Sequence, residues 1–178
     1  MKEAIRKLAR LAPVAILVRL LMWILASALR AASVLKTAAL FPHAVELPYC
    51  HWSVTVKNPE NIRLGRGVVI GPKCTLGGTG GITIGDHVRL SEGVMIESAG
   101  LDFTGDPPYP HTHKPIVIED GVWIGARAVI LAGVTLGARS IVGAGAVVSR
   151  SVAADTVVSG TGVRQWSRQQ GRTYRGER

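Results

Sequence analysis

Aliphatic residues recur at every sixth position along the middle of the chain. A small or β-branched residue follows most of them four positions later, as Val122 follows Ile118 and Ala128 follows Ile124. A period of six fits neither an α-helix nor a simple alternating strand. It is typical of a parallel β-helix in which each coil of about 18 residues has three short flat faces. The aliphatic positions predicted to face inward are Leu64, Ile70, Leu76, Ile84, Leu90, Ile96, Ile118, Ile124, Ile130, Leu136, Val142 and Val148.

Two interruptions break this period. Between Leu76 and Ile84 the spacing is eight, which predicts a two-residue bulge in the glycine-rich run 77–81. That run could serve as a phosphate cradle, but it lacks a following Lys-Ser pair and opens no helix, so a bulged corner is favoured. Between Ile96 and Ile118 the spacing is 22, and residues 98–115 are expected to leave the coil as a long loop rich in Pro and His. Loops of this length are usually functional or disordered.

The N-terminal segment predicts a different structure. Residues 1–41 lack Gly and are rich in Ala, Leu and Arg, which favours a helix. Small and polar residues form one narrow stripe on it, and the rest of its circumference is apolar. A cleaved signal peptide, a membrane-spanning helix, an interfacial helix and a helix packed within an oligomer all remain open. The interfacial interpretation is preferred because it keeps Arg19, Arg30 and Lys36 at headgroup level.

Charge is concentrated at the two ends of the chain. The whole sequence carries a net charge of +9, with +6 in residues 1–44, −1 in the middle and +4 in residues 163–178. We therefore expect a membrane-associating helical segment at 1–44, a β-helix domain at 45–162 and a basic tail or helix at 163–178. Basic ends around a neutral body suit an anionic membrane surface better than a nucleic acid. The C-terminal charges also fit a simple solvated tail.

The flat faces of such a β-helix predict self-association. A face bearing Val117, Trp123, Val129 and Ile141 would be apolar, and we expect a homotrimer. The two cysteines, Cys50 and Cys74, are too few for a disulfide framework or a cysteine-based zinc site.

The stretch 115–160, with its run VWIGARAVILAGVTLG followed by GAGAVV, resembles the hexapeptide-repeat acyltransferases. Within them it is similar to the maltose, galactoside and exopolysaccharide O-acetyltransferases. The resemblance reaches back to about Pro59. It implies a left-handed β-helix, usually trimeric, that binds acetyl-CoA between neighbouring subunits.

The resemblance also implies a catalytic base. In the family a His at the start of the long loop raises the nucleophilicity of an acceptor hydroxyl, and backbone groups stabilise the resulting oxyanion. Here the matching position is Leu101, followed by Asp102 and Phe103. Leucine cannot accept a proton, so the usual base is missing.

The positions that contact CoA in the family carry over better. They imply Trp123 and Ala126 along the pantetheine path, Ala144 beside them, Ser149 and Arg150 as hydroxyl and cation, and Arg164 as a further cation. The turn before Arg164 departs from the family pattern, because it reads Gly160-Thr161-Gly162-Val163.

Three residues of the loop are candidates to replace the base: His113, His111 and, more weakly, Asp102. An imidazole suits a base near neutral pH, and replacing His113 with Ala is expected to abolish transfer while CoA still binds. The alternative is that both are exposed loop histidines. A zinc site on the His-x-His pair is a lesser alternative, and no metal is expected.

These features favour an acetyl-CoA-dependent O-acetyltransferase acting on a sugar hydroxyl of a glycan or lipid-linked precursor at the membrane. Two alternatives remain open. One is a catalytically silent trimeric β-helix that serves as a scaffold or glycan-binding protein, which Leu101 supports. The other is N-acylation of an amino sugar, which the same fold allows.

Overall fold

The computed structural model describes residues 12–104, 106–160 and 164–167. It contains one long helix, α1 (Ala12–Leu40), followed by a parallel β-helix. The predicted mainly β fold with an N-terminal helical segment is confirmed. Residues 1–11, which hold four of the N-terminal cations, and most of the predicted C-terminal tail lie outside the described residues.

The β-helix has three sheets, here called faces A, B and C, which the chain visits in that order. Residues on one face of successive coils pair in parallel, so that Trp123 lies beside Ile141 and Val129 beside Val147. Face A contains β1 (Tyr49–Cys50), β4 (Val69–Ile70), β7 (Arg89–Leu90), β12 (Trp123–Ile124), β15 (Ile141–Val142), β17 (Thr156–Ser159) and β18 (Arg164–Ser167). Face B contains β2 (Thr55–Lys57), β5 (Thr75–Gly77), β8 (Met95–Glu97), β13 (Val129–Leu131) and β16 (Val147–Val148). Face C contains β3 (Ile62–Leu64), β6 (Ile82–Ile84), β11 (Ile116–Ile118) and β14 (Thr135–Leu136).

The core of the β-helix contains the whole predicted aliphatic series, together with Ile62, Ile82 and Ile116, which the period did not predict. All twelve inward positions are buried, and so are the small partners at positions such as Val122 and Ala128. Burial also raises the pKa of the Cys50 and Cys74 thiols, so neither is activated as a thiolate nucleophile.

The predicted single apolar face is wrong. Val117 lies on face C, Val129 on face B, and Trp123 and Ile141 together on face A. Residues six apart lie on successive faces, and only residues one full coil apart share a face.

The last turns of α1 present Ser33 and Thr37 to the protein, whereas Arg19 and Arg30 are exposed along with the apolar side of the helix. Thr37 is buried, and Lys36 donates hydrogen bonds to the carbonyl oxygens of Trp52 (2.8 Å) and Val54 at the first coil. Phe41, just after the helix, closes the bottom of the core. The outer side stays exposed, with Leu35 at 72%, and Pro13–Leu40 is long and apolar enough to cross a membrane by length and composition. A surface helix of a soluble domain usually packs its apolar side against the domain, whereas α1 exposes its large apolar side chains.

The last described strand differs from the sequence-based expectation. A tail or helix was expected from residue 163, whereas β18 pairs antiparallel with β17, with Arg164 opposite Ser159. The strand covers the upper edge of face A, which would otherwise expose unpaired backbone groups.

Candidate functional site

The segment expected as a long loop forms a β-hairpin at its root. Strands β9 (Ala99–Leu101) and β10 (His111–His113) pair antiparallel where the chain passes from face B to face C. Ser98 anchors the root, since its buried hydroxyl donates to the Gly77 carbonyl (2.6 Å) and accepts from the Gly80 amide (2.8 Å). The hairpin is therefore held by the glycine-rich corner below it.

The register of this hairpin sets the positions of both candidate imidazoles. His111 lies opposite Leu101, and His113 lies opposite Ala99. Residues directly opposite in an antiparallel pair, and residues two apart on one strand, project from the same side. Both imidazoles therefore share the side that bears Leu101, the position at which the resemblance places the missing base. Both histidines are exposed, as is Leu101 at 42%.

The side chain of Asp102 forms hydrogen bonds within the turn that follows β9. Its Oδ1 accepts hydrogen bonds from the Thr104 backbone N–H (3.0 Å) and the Thr104 hydroxyl (2.7 Å). The Thr104 hydroxyl, followed by the Thr104 amide, lowers the pKa of the Asp102 carboxyl below its ordinary value. A carboxylate stabilised in this way is a weaker base, so the geometry favours the histidines.

His113 also lines a polar depression that the sequence did not reveal. The depression has a volume of about 460 Å³, and its other lining residues are Glu60, Asn61, Arg63, Thr79, Gly80 and Gly81. Gly81 leaves it open, since a Cβ built there would lie 3.9 Å from the Asn61 carbonyl oxygen, whereas a Cβ at Gly80 would lie 2.6 Å from the Ser98 carbonyl oxygen. The predicted bulge at 77–81 thus forms one wall of a cavity beside an imidazole. The only sequence signal for it is the coil register, which pairs Ile62 with Ile82 and so brings Asn61 beside Gly81.

Two of the predicted CoA contacts lie together on the edge between faces A and B. Ala126 follows β12, and Ala144 occupies the same place one coil above. The coils approach closely there, because a Cβ at Gly125 would lie 2.6 Å from the Ala144 amide nitrogen. Nothing lies within 4 Å of a Cβ built at Gly145. The result is a bare backbone ledge that could hold a thin, flexible chain such as pantetheine.

Trp123 lies beside this ledge on face A. It is 52% exposed, and its indole N–H donates a hydrogen bond to the Ser91 hydroxyl (3.1 Å). Arg164 begins β18 on the same face, and its side chain lies outside the described atoms.

The remaining predicted contacts, Ser149 and Arg150, are exposed on the edge between faces B and C. This is the edge from which the hairpin emerges, two coils lower, as the pairings of Ile96 with Ile130 and of Ile130 with Val148 establish. Two coils correspond to about 10 Å. Face B separates this group from Ala126 and Ala144, so one chain does not bring all the predicted donor contacts into a single cleft.

The described residues contain no group of three or more His, Cys, Asp or Glu side chains arranged to hold a metal ion. The two hairpin histidines therefore have no further protein ligand near them within that part of the chain.

Two family models match the chain. Residues 115–150 match the model for bacterial transferase hexapeptide (six repeats), and residues 61–98 match the model for the hexapeptide repeat of succinyl-transferase. The two matched regions flank the hairpin.

Several solved structures share the fold. A hexapeptide-repeat-containing acetyltransferase from Vibrio cholerae is 34% identical, with a TM-score of 0.63 over 75% of this chain and 79% of that one. A structure of such an acetyltransferase from Vibrio cholerae O1 biovar eltor, complexed with acetyl coenzyme A, is 28% identical over 88% of this chain and 89% of that one, also with a TM-score of 0.63. A maltose O-acetyltransferase from Clostridium difficile 630, at 24% identity and a TM-score of 0.62 over 80% of this chain and 87% of that one, shares the fold.

A curated relative matches part of the chain. The 2,3,4,5-tetrahydropyridine-2,6-dicarboxylate N-acetyltransferase of Staphylococcus aureus is 44% identical over 79 residues. The match covers 44% of this chain but only 30% of that enzyme.

Proposed function

The chain belongs to the hexapeptide-repeat transferase family, and we propose that it is an acetyl-CoA-dependent acetyltransferase. Its proposed acceptor is a sugar hydroxyl of a glycan or polysaccharide precursor at the membrane. The Vibrio cholerae relative bound to acetyl coenzyme A supports the donor. The observation that carries the proposal is the position of His113, an exposed imidazole lining a polar depression beside the β-helix.

The residues present fit this donor. The ledge at Ala126 and Ala144 leaves space for a narrow chain, and Ser149 and Arg150 offer an exposed hydroxyl and cation for phosphate groups. Acetyl-CoA supplies an acyl group activated as a thioester. Because the two groups of contacts lie on different edges of one chain, we propose a homotrimer in which the edges of neighbouring copies complete the site.

In the proposed reaction His113 is the base. One nitrogen of its imidazole accepts the proton of the acceptor hydroxyl, which makes that oxygen a better nucleophile. The proton then passes to the departing thiolate, so the transfer needs no other reactant. His111, across from Leu101, is the second candidate, and Asp102 is the third because of its hydrogen bonds to Thr104.

We propose that α1 associates with an anionic membrane surface at the cytoplasmic face. The outward apolar side of the helix supports this, since exposing so many large apolar side chains to water is unfavourable. The cytoplasmic face is proposed because acetyl-CoA is a cytosolic metabolite.

The test of the proposed base is a set of matched alanine variants. His113→Ala should lower acetyl-CoA consumption in the presence of a sugar acceptor by about 10²-fold or more, with acetyl-CoA affinity unchanged. Thr112→Ala, between the two histidines but on the other side of the hairpin, should stay close to the wild type. Full turnover in His113→Ala would remove His113 from the reaction, and a large loss in His111→Ala alone would assign the base to the residue across from Leu101.

A further inference from the structure

Two depressions on the edge between faces B and C share a wall. The first is the polar depression lined by His113. The second has a volume of about 470 Å³ and lies at the end of α1, where Leu40, Phe41 and Pro42 contribute to its lining. Glu60 and Arg63 line both depressions. The two depressions adjoin at Glu60 and Arg63, and together they are called the α1–hairpin groove, with one half at the end of the helix and the other half beside the candidate base.

The chemistry of this groove changes along its length. The helix end is mainly apolar, with Leu40, Pro42, Ala44 and Val45 among its lining residues, and Val45 is 81% exposed. The hairpin end carries an amide, a hydroxyl and an imidazole, from Asn61, Thr79 and His113. The apolar end continues from the exposed apolar side of α1.

The side chain of Arg63 lies where the apolar and polar halves of the α1–hairpin groove meet. Arg63 projects outward from β3 and is exposed. Among the described residues, neither a carboxylate nor another side chain pairs with its guanidinium. The neighbouring Glu60 carboxylate accepts a hydrogen bond from the Asn58 amide (3.2 Å). An unpaired guanidinium matches the geometry of a phosphate group, and His43 lines the apolar half as a second basic side chain.

We propose that the α1–hairpin groove binds a lipid-linked sugar phosphate as the acetyl acceptor. The lipid chain lies along the apolar half beside α1, a phosphate contacts Arg63, and the sugar lies in the polar half with one hydroxyl at His113. This inference rests on the proposed function, because it names the acceptor class of the same site. The hydroxyl oxygen forms the new ester bond, the carbon–sulfur bond of the thioester breaks, and the hydroxyl proton reaches the thiolate through His113.

The test measures binding of farnesyl phosphate to the full chain in nonionic detergent. Arg63→Gln should weaken binding by about tenfold or more, because it removes the charged partner of the phosphate. Arg89→Gln is the matched control, since Arg89 is also an exposed arginine on a strand but lies on face A. The affinity of Arg89→Gln for farnesyl phosphate should be within twofold of the wild-type affinity.

A second pair of variants tests the apolar half. Val45→Glu places a negative charge in that half and should weaken binding at least as much, whereas Leu47→Glu, exposed but outside the groove lining, should not. Farnesol, without a phosphate, should bind at least tenfold more weakly than farnesyl phosphate.

Several results would overturn the inference. These are no binding of farnesyl phosphate to the wild type, equal affinity in Arg63→Gln, or equal affinity for farnesol. Displacement by inorganic phosphate or phosphatidylglycerol at the same concentration would also overturn it, since it would assign Arg63 to free phosphate or to general headgroups. An acetyl-CoA titration of the same samples separates the two proposals: acetyl-CoA binding without farnesyl phosphate binding refutes the groove alone, and the reverse refutes the transferase.

Discussion

At the scale of single residues, the position of the proposed base depends on one strand register. Leu101 cannot accept a proton, yet His111 stands directly across from it and His113 lies two residues further along the same side. A shift of the pairing by one residue would turn both imidazoles to the other side of the hairpin. The register is held at its root by Ser98, whose hydroxyl bridges Gly77 and Gly80.

Another residue-scale requirement lies at Gly125. A Cβ there would lie 2.6 Å from the Ala144 amide nitrogen and 2.8 Å from the Val142 carbonyl oxygen, and both are backbone atoms. Gly125→Ala should therefore separate the two coils at the ledge, destabilise the fold by about 1–3 kcal/mol and weaken acetyl-CoA binding. Denaturant unfolding and an acetyl-CoA titration measure the two effects.

The control for that substitution is Ala126→Ser, one residue further along the same corner, where a partly exposed side chain already exists. It should leave the unfolding free energy within about 0.5 kcal/mol of the wild type. Wild-type stability and affinity in Gly125→Ala would show that the close approach of the coils is not needed.

At the scale of elements, α1 has two separable parts. Its first two-thirds expose large apolar side chains, whereas Lys36 and Thr37 near its end contact the first coil and Phe41 closes the core. The proposed membrane association and the capping of the β-helix therefore belong to different turns of one helix.

Deleting residues 1–31 tests this division. The shortened chain keeps Lys36, Thr37 and Phe41, so it should move from the membrane pellet to the soluble fraction with little change in melting temperature. Deleting residues 1–44 also removes Phe41 and should cost roughly 3–5 kcal/mol of stability. Cell fractionation without detergent and thermal melting distinguish the two variants. A full-length chain found in the soluble fraction would contradict the proposed membrane association.

At the scale of elements, the sequence predicts the coils of the β-helix but not the hairpin or the polar depression. The hexad period is local, so the twelve aliphatic positions of the series from Leu64 to Val148 are readable from spacing alone, whereas Ile82 and Ile116 are buried outside the series. The hairpin cannot be predicted in this way, because β9 and β10 pair across a proline-rich stretch that has no repeating period. The sequence therefore predicted a loop. The polar depression is hidden for a related reason: Arg63, Thr79 and His113 come from three separate coils, and only the folded register brings them together.

At the scale of the whole molecule, the proposed donor contacts lie on two edges of the β-helix. Ala126 and Ala144 are on one side of face B, and Ser149 and Arg150 are on the other. If these residues bind the donor as proposed, a complete site requires another copy of the chain.

The expected mass follows from this arrangement. Light scattering in detergent, corrected for the bound detergent, should give three times the chain mass of 18.9 kDa. Acetyl-CoA stoichiometry should be one per chain. A monomer that binds acetyl-CoA with the same affinity as the assembled protein would contradict the shared site.

The most direct measurement is a calorimetric titration of the purified full-length protein with acetyl-CoA, which needs no knowledge of the acceptor. An acetyl-CoA-dependent transferase should bind with a micromolar dissociation constant, and Arg164→Ala, which removes a cation implied by the family pattern, should weaken that binding. No detectable heat at tens of micromolar protein, together with a melting temperature unchanged by acetyl-CoA, would contradict the proposed activity. Leu101 would then mark a β-helix that has lost its chemistry and serves as a scaffold at the membrane.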